Sequence, residues 1–394
     1  MVEWKELGEL GKFENIGTDK KIIEGEKLVT LLNYVDVYHN KCIDSSVPQM
    51  VVSASDKKIA DCTVEEGDIF VTPSSETVDD IGHSSVITET IPNAVYSYHI
   101  MRYRLTEKNL LLSYYINYAF DTENVKSQIL KKAQGLTRFG LSKDKFASIM
   151  IPIPTSDEQT RIVGILDKFT NTIENLKQQI AERRTQYEYF LKQLLDLGGQ
   201  EGLNIKTLGE IGKCVAGATP STKVNSYWDN GNIPWMSSGE VHQGIVRHTS
   251  SFITQKGYDN ASTKMLPINT IVIALAGQGK TRGSVAITAI ELCTNQSLCG
   301  VVINDKTIIN KYIYYYLKTR YDDLRRISSG DGTRGGLNLK MIGTYKVPVP
   351  SFSEQSRIVS ILDTFEACIL NLEKQLELRV KQYEYYRNKL LTFE

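Results

Sequence analysis

The sequence predicts a mixed α/β chain of the α+β class: two globular domains joined by two long helices that pair as an intramolecular coiled coil. Three observations carry this. A 45-residue segment occurs twice, at 151–195 and 347–391, with 22 of 45 aligned pairs identical. Each copy bears an apolar seam with the spacing of a paired helix. Each copy follows a block, 1–150 or 199–346, whose short apolar runs are bounded by turn signals in the manner of strands.

At 394 residues the chain exceeds one ordinary core, and 41% hydrophobic with 23% charged residues is a globular composition. No apolar run approaches ~18 residues and the opening MVEWKELGEL is charged. Neither a membrane span nor a signal peptide is expected, and the expected compartment is the cytoplasm. The cysteines (Cys42, Cys62, Cys214, Cys293, Cys299 and Cys368) form no C-x-x-C pair and no zinc spacing, so reduced thiols are expected. The formal net charge is zero but uneven. Residues 1–150 hold 17 Lys+Arg against 22 Asp+Glu, and residues 201–346 hold 17 against 10. A polyanion is drawn to the later half.

In block 1–150, strands are expected at 47–54, 68–74 and 94–103, and a Tyr/Leu-rich helix at 110–120. The next segment, 151–198, opens IPIPTSDEQTRIVGILDKF. Its Pro-x-Pro stretch favours an extended approach. Thr155-x-x-Glu158 then reads as a capping box that starts a helix. The seam follows as Leu166, Phe169, Ile173, Leu176, Ile180, Arg183, Tyr187, Phe190 and Leu194. Such a helix runs ~57 Å at ~1.5 Å per residue and needs a partner. In block 199–346, strands are expected at 268–276, 284–290 and 298–304, and a helix at 312–327. The last segment, 347–394, repeats the helix with Ser351-x-x-Glu354 and a seam of Leu362, Phe365, Ile369, Leu372, Leu376, Arg379, Tyr383, Tyr386 and Leu390. An antiparallel pair is expected, although a whole domain between the copies also permits a parallel one. Arg183 and Arg379 break the seam at the same step, either by snorkelling outward or by fixing register. Shorter echoes are TRFGL (137–141) with TRGGL (333–337), and WKELGELGK (4–12) with IKTLGEIGK (205–213). Otherwise the two blocks share little sequence.

The stretch ALAGQGKTRG at 274–283 invites comparison with an ATP phosphate loop. The G-x-x-x-x-G-K-[ST] pattern fails at its first glycine, where Ala274 stands, and the following RGSVAITAI reads as a strand. A hairpin loop is therefore expected. No methyltransferase, nuclease, Ser-His-Asp or metal-binding signature is present, and the five histidines are scattered. The chain does not read as catalytic.

The doubled helix start, PTSDEQTRIVGILD at 154–167 and PSFSEQSRIVSILD at 350–363, with its YEY…LL tail, resembles the specificity subunit of type I restriction–modification systems. GATPSTKVNSYWDNGNIPWMSSGEV at 217–241 is similar to the opening of that family's target-recognition domains, whereas GKFENIGTDK at 11–20 lacks the G-x-T-P turn. The resemblance covers essentially the whole chain. It implies a non-catalytic DNA-binding subunit of a bacterial or archaeal host-defence complex. Each block would read one half of a bipartite, asymmetric site in double-stranded DNA, and the coiled coil would set the spacing. Implied partners are two methyltransferase subunits carrying S-adenosylmethionine and two motor–endonuclease subunits using ATP and magnesium. No cofactor is expected in this chain. Candidate DNA contacts in polar loops are Ser74, Ser75, Thr137, Arg138, Trp235, Ser237, Ser238, Gln278, Lys280, Thr281, Arg282, Thr333 and Arg334. The alternatives are a protein-binding coiled-coil scaffold and an ATP-binding protein.

Overall fold

The repeated Pro-x-Pro stretch is a strand in both copies. In the computed structural model, which describes residues 2–197, 203–277, 280–328 and 336–393, Met150–Ile153 pairs antiparallel with Glu3–Glu6. Lys346–Val349 pairs likewise with Asn204–Thr207. Each is a two-stranded sheet, where proline is tolerated because no second neighbour needs its missing N–H. The echo near each block's start is the other half of this joint: a strand, a one-turn helix (Leu7–Leu10 or Leu208–Ile211) and the first strand of a larger sheet.

The chain forms two units: Met1–Gln178 with Lys374–Glu394, and Gln179–Glu373. Both long helices contribute to both units. They run Ser156–Leu195 and Phe352–Leu391. Thr155 Oγ1 and Ser351 Oγ accept from the N–H of Glu158 and Glu354 at 3.4 and 3.3 Å. The return half of the expected capping box is replaced. The Glu158 and Glu354 carboxylates turn to Arg161 and Arg357, at 2.6 and 2.7 Å. The neighbouring glutamines are buried. Gln159 Nε2 donates to the Pro154 carbonyl at 2.9 Å, and Gln355 Nε2 to that of Pro350 at 3.0 Å.

The helix pairing is antiparallel. In the second unit Phe190 stacks on Phe365, Tyr187 bonds Glu366 and Arg184 pairs with Glu373, so one helix descends as the other ascends. In the first unit Phe169 stacks on Tyr386 at 5.5 Å. Leu166, Ile173, Leu176, Ile180, Tyr187 and Leu362 are buried. Phe169, Leu194, Phe365, Ile369, Leu372, Leu376, Tyr383 and Leu390 are partly buried, while Phe190 and Tyr386 are more exposed. Arg183 and Arg379 turn along their own helices to Gln186 and Gln382 at 2.7 and 2.9 Å. Arg379 also lies over the Phe169 ring at 5.8 Å.

Despite their dissimilar sequences, the two blocks have the same topology. Each has a five-stranded sheet of the same order. In the first unit it runs Gly11–Glu14, Met101–Leu105, Ile69–Val71, Ser84–Ile87, Cys42–Ile43. In the second it runs Gly212–Ala216, Leu298–Ile303, Ile271–Ala274, Val285–Thr288, Ile245–Val246. Each block adds a three-stranded sheet around Lys27–Leu32 or Ile233–Met236. Three expected elements are divided. The strand at 68–74 ends at Val71, and Ser74 belongs to a separate pair with Phe139–Gly140. The strand at 94–103 is two strands in different sheets, Ala94–Tyr96 and Met101–Leu105, because the chain turns at Ser97, whose hydroxyl accepts from the His99 N–H. The helix at 312–327 is Asn310–Lys318 then Tyr321–Ile327, with Thr319 Oγ1 bonding back to the Tyr316 carbonyl at the break. No described helix is long and apolar enough to cross a membrane.

The Tyr-rich helices seat each block on the long helices. Tyr115 and Tyr312 donate to the carbonyls of Pro152 and Pro348, both at 2.8 Å. Tyr118 and Tyr315 donate to Asp167 and Asp363, both at 2.6 Å. Burial, then the adjoining carboxylate, pushes both of the latter phenols well above the ordinary tyrosine range, so they remain donors. The cores continue from sheet to helix: Leu166 packs with Tyr115 and Leu391, and Leu362 with Tyr312 and Tyr187. Leu166→Ala or Leu362→Ala, each at a fully buried position, is expected to cost about 2–5 kcal/mol in urea unfolding. Exposed Leu378→Ala is expected to stay within about 0.5 kcal/mol.

Candidate nucleic-acid interface

In each unit two separate polar stretches meet at one end of the five-stranded sheet. In the first, the strands Ile69–Val71 and Ser84–Ile87 are joined by a loop containing Ser74 and Ser75. Ser74–Ser75 pairs with Phe139–Gly140, which draws Thr137 and Arg138 to the same place. Arg138 Nη2 donates to Ser74 Oγ at 3.2 Å, and Thr137 and Arg138 are exposed. Four of the candidates therefore form one cluster. Its neighbours were not signalled by the sequence. Tyr38 donates to Asp80 at 3.2 Å and lies 4.4 Å from the His83 ring. Burial pushes the His83 imidazole below its ordinary value, although Asp121 and Asp80 pull it upward.

The second unit repeats the arrangement. Ile271–Ala274 and Val285–Thr288 are antiparallel, so GQGKTRG falls between two strands, and the next element in the chain is the strand Val285–Thr288 and not the helix an ATP phosphate loop requires. The two connections correspond at three points. Gly82 and Gly283 are both in the left-handed region, φ 86° and 83°. Their N–H groups bond the carbonyls of Thr72 and Ala274, each at 2.9 Å. Leu141 and Leu337, the last residues of the TRFGL and TRGGL echoes, bond the carbonyls of Pro73 and Leu275, again at 2.9 Å each. Glycine is needed at 82, where an added Cβ would meet Ile129 Cδ1 at 2.5 Å under a strained φ.

Lys280 is exposed, and Thr281 Oγ1 lies 3.3 Å from His242 Nε2, which ties this loop to the 235–243 stretch. His242 was not distinguished in the sequence, where nothing set it apart from the other histidines. Arg282 departs from expectation. It is only 9% exposed, so its aliphatic stem and guanidinium pack inward while Lys280 faces solvent. Trp235 is 8% exposed, edge-on to Trp228, with its indole N–H given to the Ala218 carbonyl at 3.0 Å. Ser237 closes a capping box with Glu240, its N–H and hydroxyl both directed to that carboxylate at 2.8 and 3.1 Å. Trp235 is thus packed inward, while Ser237, partly exposed, is tied to the turn through Glu240. Ser238 is partly exposed at the start of that turn. Gln278, Thr333 and Arg334 lie outside the described residues. The remaining hydroxyl, guanidinium and ammonium groups suit phosphate oxygens and base edges. All six cysteines are free thiols.

Comparison with known proteins agrees with this duplicated plan. The family model for the type I restriction modification DNA specificity domain matches twice, over residues 1–183 and 200–382. The chain is 31% identical over 406 residues to the specificity subunit of an Escherichia coli type I restriction enzyme, covering 100% of this chain and 94% of that one. It is 28% identical over 279 residues to a putative specificity subunit of Haemophilus influenzae, covering 66% and 68%. In fold it resembles the type I restriction–modification S subunit of Mycoplasma genitalium, with TM-score 0.62, 18% identity, and 100% and 97% of the chains covered.

Because Trp235 and Ser237 are held by internal bonds, their loss is expected to appear as instability. Ser237→Ala should cost about 1 kcal/mol through the lost cap, measured by thermal unfolding. Trp235→Phe should lower the same midpoint by leaving the Ala218 carbonyl without its indole donor.

Proposed function

The chain belongs to the type I restriction–modification DNA specificity family, and from that premise we propose how its two units divide the work. Each reads one half of a bipartite site in double-stranded DNA through the loop cluster at the end of its five-stranded sheet. The coiled coil sets the half-site spacing, as protein geometry fixes the distance between half-sites. The carrying observation is that one topology occurs twice while the loop residues differ. Pro73–Ile81 reads PSSETVDDI, whereas 275–282 reads LAGQGKTR. Two readers with one mounting and unlike contact chemistry fit a non-palindromic target.

This chain is the non-catalytic member of the complex. The coiled coil docks two methyltransferase subunits, which carry S-adenosylmethionine and take the target adenine out of the stack. Two motor–endonuclease subunits supply ATP- and magnesium-dependent cleavage. The complex works in the cytoplasm. Support for these assignments is the family resemblance and the long helices shared by both units.

Exchanging residues 1–150 for another family member's first block should change one half of the methylated site and leave the other. Methylome sequencing of the host reads this directly, and an unaltered motif would refute modular reading. Deleting one heptad, Ile173–Gln179, removes roughly 10 Å of rise. It should alter the spacer or abolish methylation, and unchanged methylation at the original spacing would refute the ruler.

A further inference from the structure

Beneath the second unit's loop is a hollow of about 500 Å³ lined by His242, Lys280, Ser284, Tyr321 and Arg325. Two of these five carry permanent positive charge, two are hydroxyls, and none is a carboxylate. Tyr321 joins the wall by donating to the Lys280 carbonyl at 2.9 Å. Arg325 is oriented within it. Its Nη1 donates to the Tyr321 hydroxyl at 3.0 Å and the Arg282 carbonyl at 3.4 Å, and its guanidinium lies 5.4 Å from the Tyr321 ring centroid. The His242–Thr281 contact closes the rim. Loop, helix and 3-10 turn thus hold cationic and hydroxyl groups around one space.

We propose that this hollow seats a backbone phosphate of the target DNA, fixing the second unit's register on the duplex while neighbouring groups read bases. This rests on the DNA-reading assignment above and sharpens it. Lys280 supplies a point charge, Arg325 a fixed planar one, and the Ser284 and Tyr321 hydroxyls add hydrogen-bonding capacity. The first unit is built differently at this place, with Arg138 brought to Ser74 from the 137–140 stretch and not supplied by the connection itself. Its corresponding connection carries Glu76, Asp79 and Asp80 and no Lys or Arg. Asp80 stands beside His83 and accepts from Tyr38 and Thr77. The contrast follows the charge of the blocks, acidic over 1–150 and basic over 201–346. In the second unit the connection itself supplies the ammonium group of the grip, Lys280, whereas the connection of the first is acidic.

The test uses the full chain assembled with its methyltransferase partner and a duplex bearing the methylome-derived site. Affinity is read by fluorescence anisotropy at several salt concentrations. Lys280→Ala with His242→Ala, and separately the milder Lys280→Gln, should weaken binding several-fold and make the slope of log K against log salt shallower by about 1. Variant complexes with wild-type affinity and slope overturn the hollow while leaving the DNA-reading assignment intact. A wild-type complex that binds no duplex specifically overturns both. Saturable binding of inorganic phosphate, lost in Lys280→Gln without any change in DNA affinity, assigns the hollow to free phosphate and also overturns the proposal.

Discussion

A single hydrogen bond from a buried tyrosine, made twice, fixes each block to the helices: Tyr118 to Asp167 and Tyr315 to Asp363. A phenol donating to a carboxylate is a strong, directional contact. With the adjoining Tyr–carbonyl bonds to Pro152 and Pro348, it leaves each block one orientation on its helix. Lys311 reinforces the second joint through Asp363 at 2.7 Å. Lys318 and Glu366 add a further link through the Tyr187 hydroxyl. The loops at the end of each five-stranded sheet are thereby held in a fixed relation to the long helices within their own unit.

The joints also account for the repeated motif. Within its Pro-x-x-x-Glu-Gln…Leu-Asp pattern, the proline and glutamine form the helix entry, the glutamate is occupied by arginine one turn on, and the leucine enters the core. The aspartate receives the tyrosine. Gln355 does more than its counterpart. Its Oε1 accepts from the Ile309 N–H at 2.9 Å, capping the helix Asn310–Lys318, which has no side-chain cap of its own. Residues that read as a family signature are thus the fastening of block to helix.

What the sequence revealed was local. The seam, the capping hydroxyls and the hairpin nature of GQGKTRG depend on local spacing, and local spacing is visible. The shared topology of the blocks was not, because it resides in strand order, and the strands have few residues in common beyond the echoes. The turn at Ser97 and the break at Thr319 lack glycine or proline to announce them. Trp235 and Arg282 looked like contact residues by type, but tertiary packing turned them inward. His242 and Arg325 gained their place only through chain segments distant in sequence.

The discontinuity of the first unit bears on synthesis of the chain. The second unit, Gln179–Glu373, is one continuous stretch, whereas the first needs Lys374–Glu394 to cover its helix. Leu166 and Phe169 leave the ribosome long before Tyr386, Leu390 and Leu391 exist to complete their core. With roughly 200 residues to translate at about 5–20 per second, that apolar strip stays uncovered for on the order of 10–40 s. Loss of the segment Lys374–Glu394 would therefore harm the domain made first more than the domain made last.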